Sequence, residues 1–326
     1  IDNSGKLKYR LNKDNGLIDE NIKYQYIDNR HNLWIGLNNG ISYVEINSPI
    51  TFFNDQYGLK GTIESITRHN NILYVATSLG VYYLDCKDPA FLLNSEFKSV
   101  KNINNETWIV KSIRLNDKTV LLAEANEDIY EINSILNEGK SILNDVPWAI
   151  YQSNFKPQDV YIGTEEGLLL LTYENQNWTK KKKISGIDKM VTDICEDHKG
   201  NIWLCSFREG IYKYNPENPD KIEFYDSTNG LSEGPYFSIT YNHDMLFGTA
   251  LGIYRFDENK NLFYYDTIFN KVFGKNPRYI YRMSKDSNNS LWLVTYINEE
   301  EREETGFFTN IKDDDVLWNP TPFLGN

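Results

Sequence analysis

A short apolar run of one kind recurs along the chain: LWIG, LYVAT, VLLAE, VYIGT, IWLCS, MLFGT and LWLVT. With its second residue as anchor, the series is Trp34, Tyr74, Leu121, Tyr161, Trp203, Leu246 and Trp292, at intervals of 40, 47, 40, 42, 43 and 46 residues. A period of this length matches a four-stranded propeller blade and is too long for leucine-rich, ankyrin or tetratricopeptide units. The anchor run is apolar at consecutive positions, as a strand covered on both faces should be. Ahead of it stand an alternating strand and a polar turn, such as DNRHN, RHNN, EDHKGN or YNHD. Asn, Asp and Gly in such turns accept positive φ and bond their own backbone. Six or seven residues beyond the anchor a Gly opens a third strand, as in SLG-VYYLDC, EEG-LLLLTY and REG-IYKYN. In the third unit Asp128 stands in place of this Gly, and in the seventh the loop is expected to expand as far as Gly306. A more polar fourth strand follows, as in ITFF, KIEFYD and LFYYD.

No segment holds a 3.6-residue apolar period over a dozen residues, so the pattern predicts an all-β chain. The expected fold is a seven-bladed β-propeller of four-stranded antiparallel blades, one domain over residues 1–326. KLKYRL (residues 6–11) and VLWNPTPF (316–323) compete for the fourth place in the seventh blade, and the N-terminal strand is expected to close the ring. The surplus strand, together with the start at Ile1, reads as a segment of a longer chain.

Composition narrows the chemistry. Thirty-four basic against 46 acidic residues leave a net charge of −12, which disfavours nucleic acid as a partner. The lysine run at 180–183 reads as a solvated edge strand, and EEEREE at 299–304 as an exposed loop. Aromatics reach 14% of the chain, and their first use is to fill the wedge-shaped gaps between twisted blades. Cys86, Cys195 and Cys205 are too scattered for a disulfide framework or a zinc site and read as small buried hydrophobes. His31, His69, His198 and His243 fall in the turns between first and second strands of four units. Glu165, Glu166 and Glu209 lie in loops, at a separation that sequence does not supply to a two-carboxylate mechanism. Neither a catalytic set, a metal site nor a cofactor motif is expected.

A ligand is expected where the inner strands begin and converge on the axis, at Lys23, Ile63, Trp108, Trp148, Met190, Tyr236 and Tyr279. Aromatic planes suit sugar rings. The candidate ligand-binding residues are Trp108, Trp148, Tyr236 and Tyr279, flanked by Arg208 and Arg278.

The segments EDHKGNIWLCSFREGIYKYN and DNRHNLWIGLNNGISYVEI add a finer pattern. They resemble the regulator-propeller repeat, D-x-x-G-N-L-W-I-G-T-x-x-G-L-x-x-Y. Units one, two, five and six carry the likeness most fully, four and seven less so, and three least. SPITFFNDQYGLKGTIESITRHNNILYVATSLGVYYL looks like the variant found beside a triple-tyrosine domain. The resemblance implies an extracytoplasmic, periplasmic input domain of a hybrid two-component sensor of Bacteroidetes type. Such a domain senses a carbohydrate or other small ligand, and its parent chain is membrane-anchored, homodimeric and carries the kinase or transcription module elsewhere. Two other classes stand beside this one: a propeller enzyme of lyase or glycoside hydrolase type, and a scaffold that binds protein through its rim and the seventh loop at 297–305.

Overall fold

The computed structural model describes residues 11–13, 17–45, 53–85, 96–115, 118–126, 128–234, 236–274, 276–298, 300–312 and 315–320. Alternation of apolar and polar positions, broken by polar turns, folds these residues into seven antiparallel sheets in chain order. The first holds β1 (Ile22–Ile27), β2 (Leu33–Leu37) and β3 (Gly40–Val44). The second holds β4 (Ile63–His69), β5 (Ile72–Thr77), β6 (Gly80–Asp85) and β7 (Lys98–Ser99). The third holds β8 (Thr107–Arg114), β9 (Thr119–Ala125), β10 (Asp128–Asn133) and β11 (Glu138–Leu143). The fourth holds β12 (Pro147–Gln152), β13 (Asp159–Thr164), β14 (Gly167–Glu174) and β15 (Asn177–Lys183). The fifth holds β16 (Val191–Glu196), β17 (Ile202–Ser206), β18 (Gly210–Tyr214) and β19 (Ile222–Tyr225). The sixth holds β20 (Phe237–Tyr241), β21 (Asp244–Thr249), β22 (Gly252–Asp257) and β23 (Leu262–Tyr265). The seventh holds β24 (Tyr279–Lys285), β25 (Leu291–Ile297), β26 (Arg302–Lys312) and β27 (Asp315–Pro320). This is the expected propeller of four-stranded blades, with three strands of the first blade among the described residues. The helix α1 (Thr267–Asn270) is four residues long, and no described helix is long and apolar enough to cross a membrane.

Two ways of closing the turn between first and second strands recur among the described residues. In units one, five and seven a single aspartate clasps it. Asp197 Oδ1 accepts the N–H groups of Lys199 and Asn201, and Oδ2 accepts the Asn201 amide and the Trp203 indole N–H, all at 2.9 Å. Asp28 with Trp34 (3.1 Å) and Asp286 with Trp292 (3.0 Å) repeat the arrangement. The D-x5-W spacing is thus a hairpin lock: one carboxylate satisfies the turn's own donors and the anchor's ring. In units two and six the turn is tight, with Asn70 and Asn71, and Asn242 and His243, all at positive φ. At the opposite end, the hydroxyls of Thr77, Thr164, Ser206 and Thr249 donate to the carbonyls of Gly80, Gly167, Gly210 and Gly252. Gly167, at φ +121°, has no room for a Cβ, which would overlap the Ile187 carbonyl oxygen.

The core is divided among the seams between blades. Tyr74 and Ala76 meet Val110 and Leu121; Leu122 and Ile113 meet Ile150 and Ile162. Tyr161 and Leu168 meet Ile194 and Leu204; Trp203 and Tyr225 meet Phe247 and Phe263; Leu246 and Ile253 meet Ile280 and Leu293. Shared cores therefore run unbroken from the second sheet to the seventh. The aromatic excess is spent here: Trp203 lies 5.9 Å from Tyr225, 5.3 Å from Phe247 and 4.9 Å from Phe256. The first sheet differs. Trp34 is 42% exposed where Trp203 is fully buried, and every residue of β1 is exposed.

Three expectations change. The third unit is phased one residue later than its sequence indicated: Lys111 pairs with Leu122 as Tyr151 pairs with Tyr161, so Leu122 is the anchor and Leu121 faces the preceding blade. The VLLA run is apolar on both faces, and such a run carries no phase of its own. The seventh unit has no expanded loop, because β25 and β26 pair through Ile297 and Arg302, and Glu304 takes the place of the Gly. Residues 302–304 of EEEREE are accordingly strand, and Glu304 is buried, accepting from the Trp318 indole at 3.0 Å. His69 ends β4 with its ring turned inward, 2.9 Å from the Ser112 hydroxyl. The fourth place in the seventh sheet is taken by β27; the N-terminal strand at residues 6–11, the strand ITFF up to residue 52, and Cys86 lie outside the described residues.

Two outcomes follow from this packing. Asp197→Ala strips four donors of a buried acceptor and should cost about 2–3 kcal/mol in urea unfolding; a change below about 0.5 kcal/mol contradicts the lock. Burial alone raises the Asp197 carboxyl, but its hydrogen bonds outweigh that and hold it below its ordinary value. Its contribution is therefore complete above about pH 4 and is lost as the pH falls through the folded value, so the variant's acid limb should be flatter. Gly248→Ala places a methyl 2.6 Å from Ile280 Cγ2 and 2.9 Å from its Cβ, and should lower stability by about 1–3 kcal/mol in the same assay.

Candidate functional site

Pairing along the inner strands slips by one residue at the start of six of the seven sheets. Pro147 faces Thr164 but Ala149 faces Gly163, leaving Trp148 as the extra residue of a β-bulge. The same slip frees Lys23, Glu64, Trp108, Thr192 and Tyr281 in the other five. A bulge bends its strand and re-aims a side chain. Four of these bulge residues, Glu64, Trp108, Trp148 and Thr192, line one cavity of about 370 Å³. Residues just past the bulges, Ile109, Ala149, Asp193 and Arg282, complete its wall with Lys111, Ile150, Ile194 and Phe237. The inner strands of sheets two to seven all contribute, which places the cavity on the axis of the ring.

Its floor is aromatic and its wall is charged. Trp108 and Trp148 stack with centroids 4.7 Å apart and planes inclined by 14°. The Trp148 indole N–H is buried and has no protein partner. Lys111 Nζ donates to the Ile150 carbonyl at 2.9 Å and lies 5.3 Å from the centre of the Tyr151 ring. Burial lowers the Lys111 ammonium from its ordinary value, against the pull of Asp193 and Glu124. Asp193 Oδ2 accepts the backbone N–H of Ser238 at 2.7 Å and its hydroxyl at 2.9 Å, yet burial still raises the carboxyl. Arg282 is exposed and its guanidinium lies 5.9 Å from the centre of the Phe237 ring. The set offers stacking surface, a free N–H donor, two cations and two carboxyls, which suits recognition of a small polar molecule. Among the described residues no three His, Cys, Asp or Glu side chains gather as a metal site.

Of the six candidate residues, the structure brings Trp108 and Trp148 together in this cavity. Tyr236 is 4% exposed, sits in the seam core and donates to the Ser232 carbonyl at 2.9 Å. Arg208, at φ 61°, packs its backbone near Gly234 beside Tyr236, and its charge acts on Tyr279. Tyr279 packs against Tyr281 with ring centroids 4.6 Å apart and planes inclined by 48°. Arg278 lies 3.3 Å from Glu304 and over the Phe273 ring. These four residues are not in the wall of the axial cavity. Lys111, Asp193 and Arg282 lie outside the strand-start positions expected to bind, although a charge inside an inner strand (TWIVK, VTD, YIYR) was a visible signal. The one-residue step from the bulge that carries Asp193 and Arg282 to the axis was not.

Residues 185–208, from the fourth-to-fifth link through β17, match the family described as two component regulator propeller. No curated protein matches the chain. Two crystal structures of the extracellular domain of BT4673 from B. thetaiotaomicron, one described as a one component and the other as a hybrid two component system, share its fold. The first superposes with a TM-score of 0.61 at 15% identity over 98% of this chain and 44% of that one. The second gives 0.62 at 14% over 93% and 43%. The chain thus spans less than half the length of these relatives. Virginiamycin B lyase from Staphylococcus aureus is more distant, with a TM-score of 0.54 and 10% identity over 80% of this chain and 85% of that one. The chain is a β-propeller that carries the two component regulator propeller repeat, with its lock of Asp197 on Trp203 inside the matched segment.

Proposed function

We propose that the chain is the signal-input propeller of a bacterial sensor, exposed outside the cytoplasm in the periplasm. Its axial cavity takes a carbohydrate or similar small polar ligand. The reading rests on one observation above all: six inner strands deliver a stacked tryptophan pair and unspent polar groups to a single cavity. The regulator-propeller repeat and the likeness to extracellular domains of a signalling system support the sensor role. In this reading residues 1–326 act as one sensing domain of a membrane-anchored, homodimeric parent chain, and occupancy is passed to a kinase or transcription module in that chain. Tyr279 and Arg208, close to one another on sheets seven and five, form an outlying part of the ligand surface, with Tyr236 and Arg278 supporting them from within.

A thermal-shift screen against an oligosaccharide panel finds the ligand, since binding to the native state raises the midpoint by mass action. Calorimetry of that ligand with Trp108→Ala/Trp148→Ala should then show affinity reduced about tenfold or more, from the loss of two stacking planes. Unchanged affinity, with the fold intact by circular dichroism, overturns the axial assignment.

A further inference from the structure

One position on the second strand of each sheet stands opposite the residue that follows the bulge or, in the sixth sheet, which has none, opposite Phe237 at the start of β20. It is Gly36, Ala76, Gly163, Cys205, Gly248 and Val294 in six sheets, paired with Tyr24, Ser65, Ala149, Asp193, Phe237 and Arg282. The place is kept small because the next inner strand presses on it: a methyl on Gly163 would overlap the Val191 carbonyl oxygen, and one on Gly248 would crowd Ile280. In the third sheet the place holds Glu124, opposite Ile109. Glu124 is fully buried, and neither of its carboxyl oxygens has a hydrogen-bond partner. A buried polar group without a partner is costly, and a break in a repeat's own rule points to a use.

Its surroundings indicate that use. Glu124 and Ile109 share one face of the sheet with Leu122 and Lys111, so Lys111 is its diagonal neighbour across the strand pair. Ile109 and Lys111 both line the axial cavity, and Arg282 reaches the same cavity from the seventh sheet. Lys111 and Arg282 are the two cations whose charges act on Glu124. From β10 the same face presents Glu131, which is occupied by the Trp178 indole at 2.9 Å. β12 adds Tyr151, and β16 adds Asp193, which Ser238 holds. Burial pushes the Glu124 carboxyl up to about 8, so it is neutral in mildly acidic solution and ionises as the solution turns alkaline.

We propose that Glu124 is a proton switch on the axial cavity: as a neutral acid it leaves Lys111 and Arg282 to hold a carboxylate or sulfate group of the ligand, and as a carboxylate it competes for both. This rests on the axial cavity being the ligand site and adds its ligand class and its regulation. Anion binding and proton binding then support one another, and an anionic ligand is taken up together with a proton. The fork of Arg282 suits a two-oxygen contact, while the aromatic floor receives the rest of the molecule.

Thermal unfolding with sodium glucuronate, sodium sulfate or glucose as probe, at pH 6 and pH 9 and constant ionic strength, tests the switch. For the unaltered chain, one or both anions should raise the midpoint by about 2–5 °C at pH 6 near saturation, and the gain should vanish at pH 9. Glu124→Gln should keep the gain at pH 9, and Arg282→Gln should lose it at both. Glucuronate without sulfate, or the reverse, identifies the anion. Without any probe, the unaltered chain should lose stability as pH rises from about 4.3 toward 8, because only the folded state holds the proton across that window, and Glu124→Gln should not. Should the amide fail to fold, Glu124→Ala, which copies Ala76 of the second sheet, replaces it. Three results overturn the switch: glucose stabilising as well as the anions, no anion effect at pH 6, or Glu124→Gln losing its gain at pH 9 as the unaltered chain does. A neutral glycan bound through Trp108 and Trp148 would leave the proposed function standing while removing the switch.

Discussion

Close approach of one blade's inner strand to the second strand of the blade before it is the constraint on which the molecule depends. It is tightest where the second strand carries no side chain, as at Gly163 against Val191 and Gly248 against Ile280. With the inner strands that close, the seams can be filled outward by Tyr161, Trp203 and Phe247 to the density of a protein interior. In every sheet but the sixth the inner strand also carries one residue more than its partner, and the surplus leaves the ladder as a bulge. What lines the axis is therefore a by-product of how the ring packs. Blades three and four place tryptophans there, blade two a glutamate and blade five a threonine.

The architecture was largely legible in the sequence. The period near 43 residues, the polar turns and the Gly that opens five of the third strands have direct local causes: a hairpin of fixed length, donors that need a carboxylate, a φ that only glycine accepts easily. The D-x5-W spacing could be read without knowing that it was a lock. Phase was harder. VLLA in the third unit is buried on both sides, so no alternation showed that Leu122 rather than Leu121 faces forward. The seventh hairpin is hard to read because five glutamates and one arginine in a row resemble solvent-exposed chain, whereas Glu304 is buried by the Trp318 indole and the guanidiniums of Arg278 and Arg302.

The candidate site was legible in part, and the limit is a geometric one. Counting strand starts found Trp108 and Trp148, since a bulge residue sits at the start of its strand. It also points to Tyr236, just before β20, and Tyr279, at the start of β24, neither of which reaches the axial cavity, because the sixth sheet has no such slip and the seventh slips two residues later, at Tyr281. A bulge depends on pairing across two strands and leaves no mark in either one alone. Glu124 illustrates the reverse case. It stood in plain view within VLLAE, and became informative only when the pairing set it beside Gly163, Gly248 and Ala76.

A propeller with its ligand on the axis lets one small molecule touch several blades at once, so that binding tightens the ring as a whole. A ligand held on the outer rim would touch one seam. Co-crystallisation of the chain with whichever compound gives the largest thermal shift separates the two most directly. Electron density between the Trp108–Trp148 pair and Arg282, in contact with residues from at least three inner strands, is the expected result. Density confined to the outer rim, with the axial cavity holding only water, would contradict it.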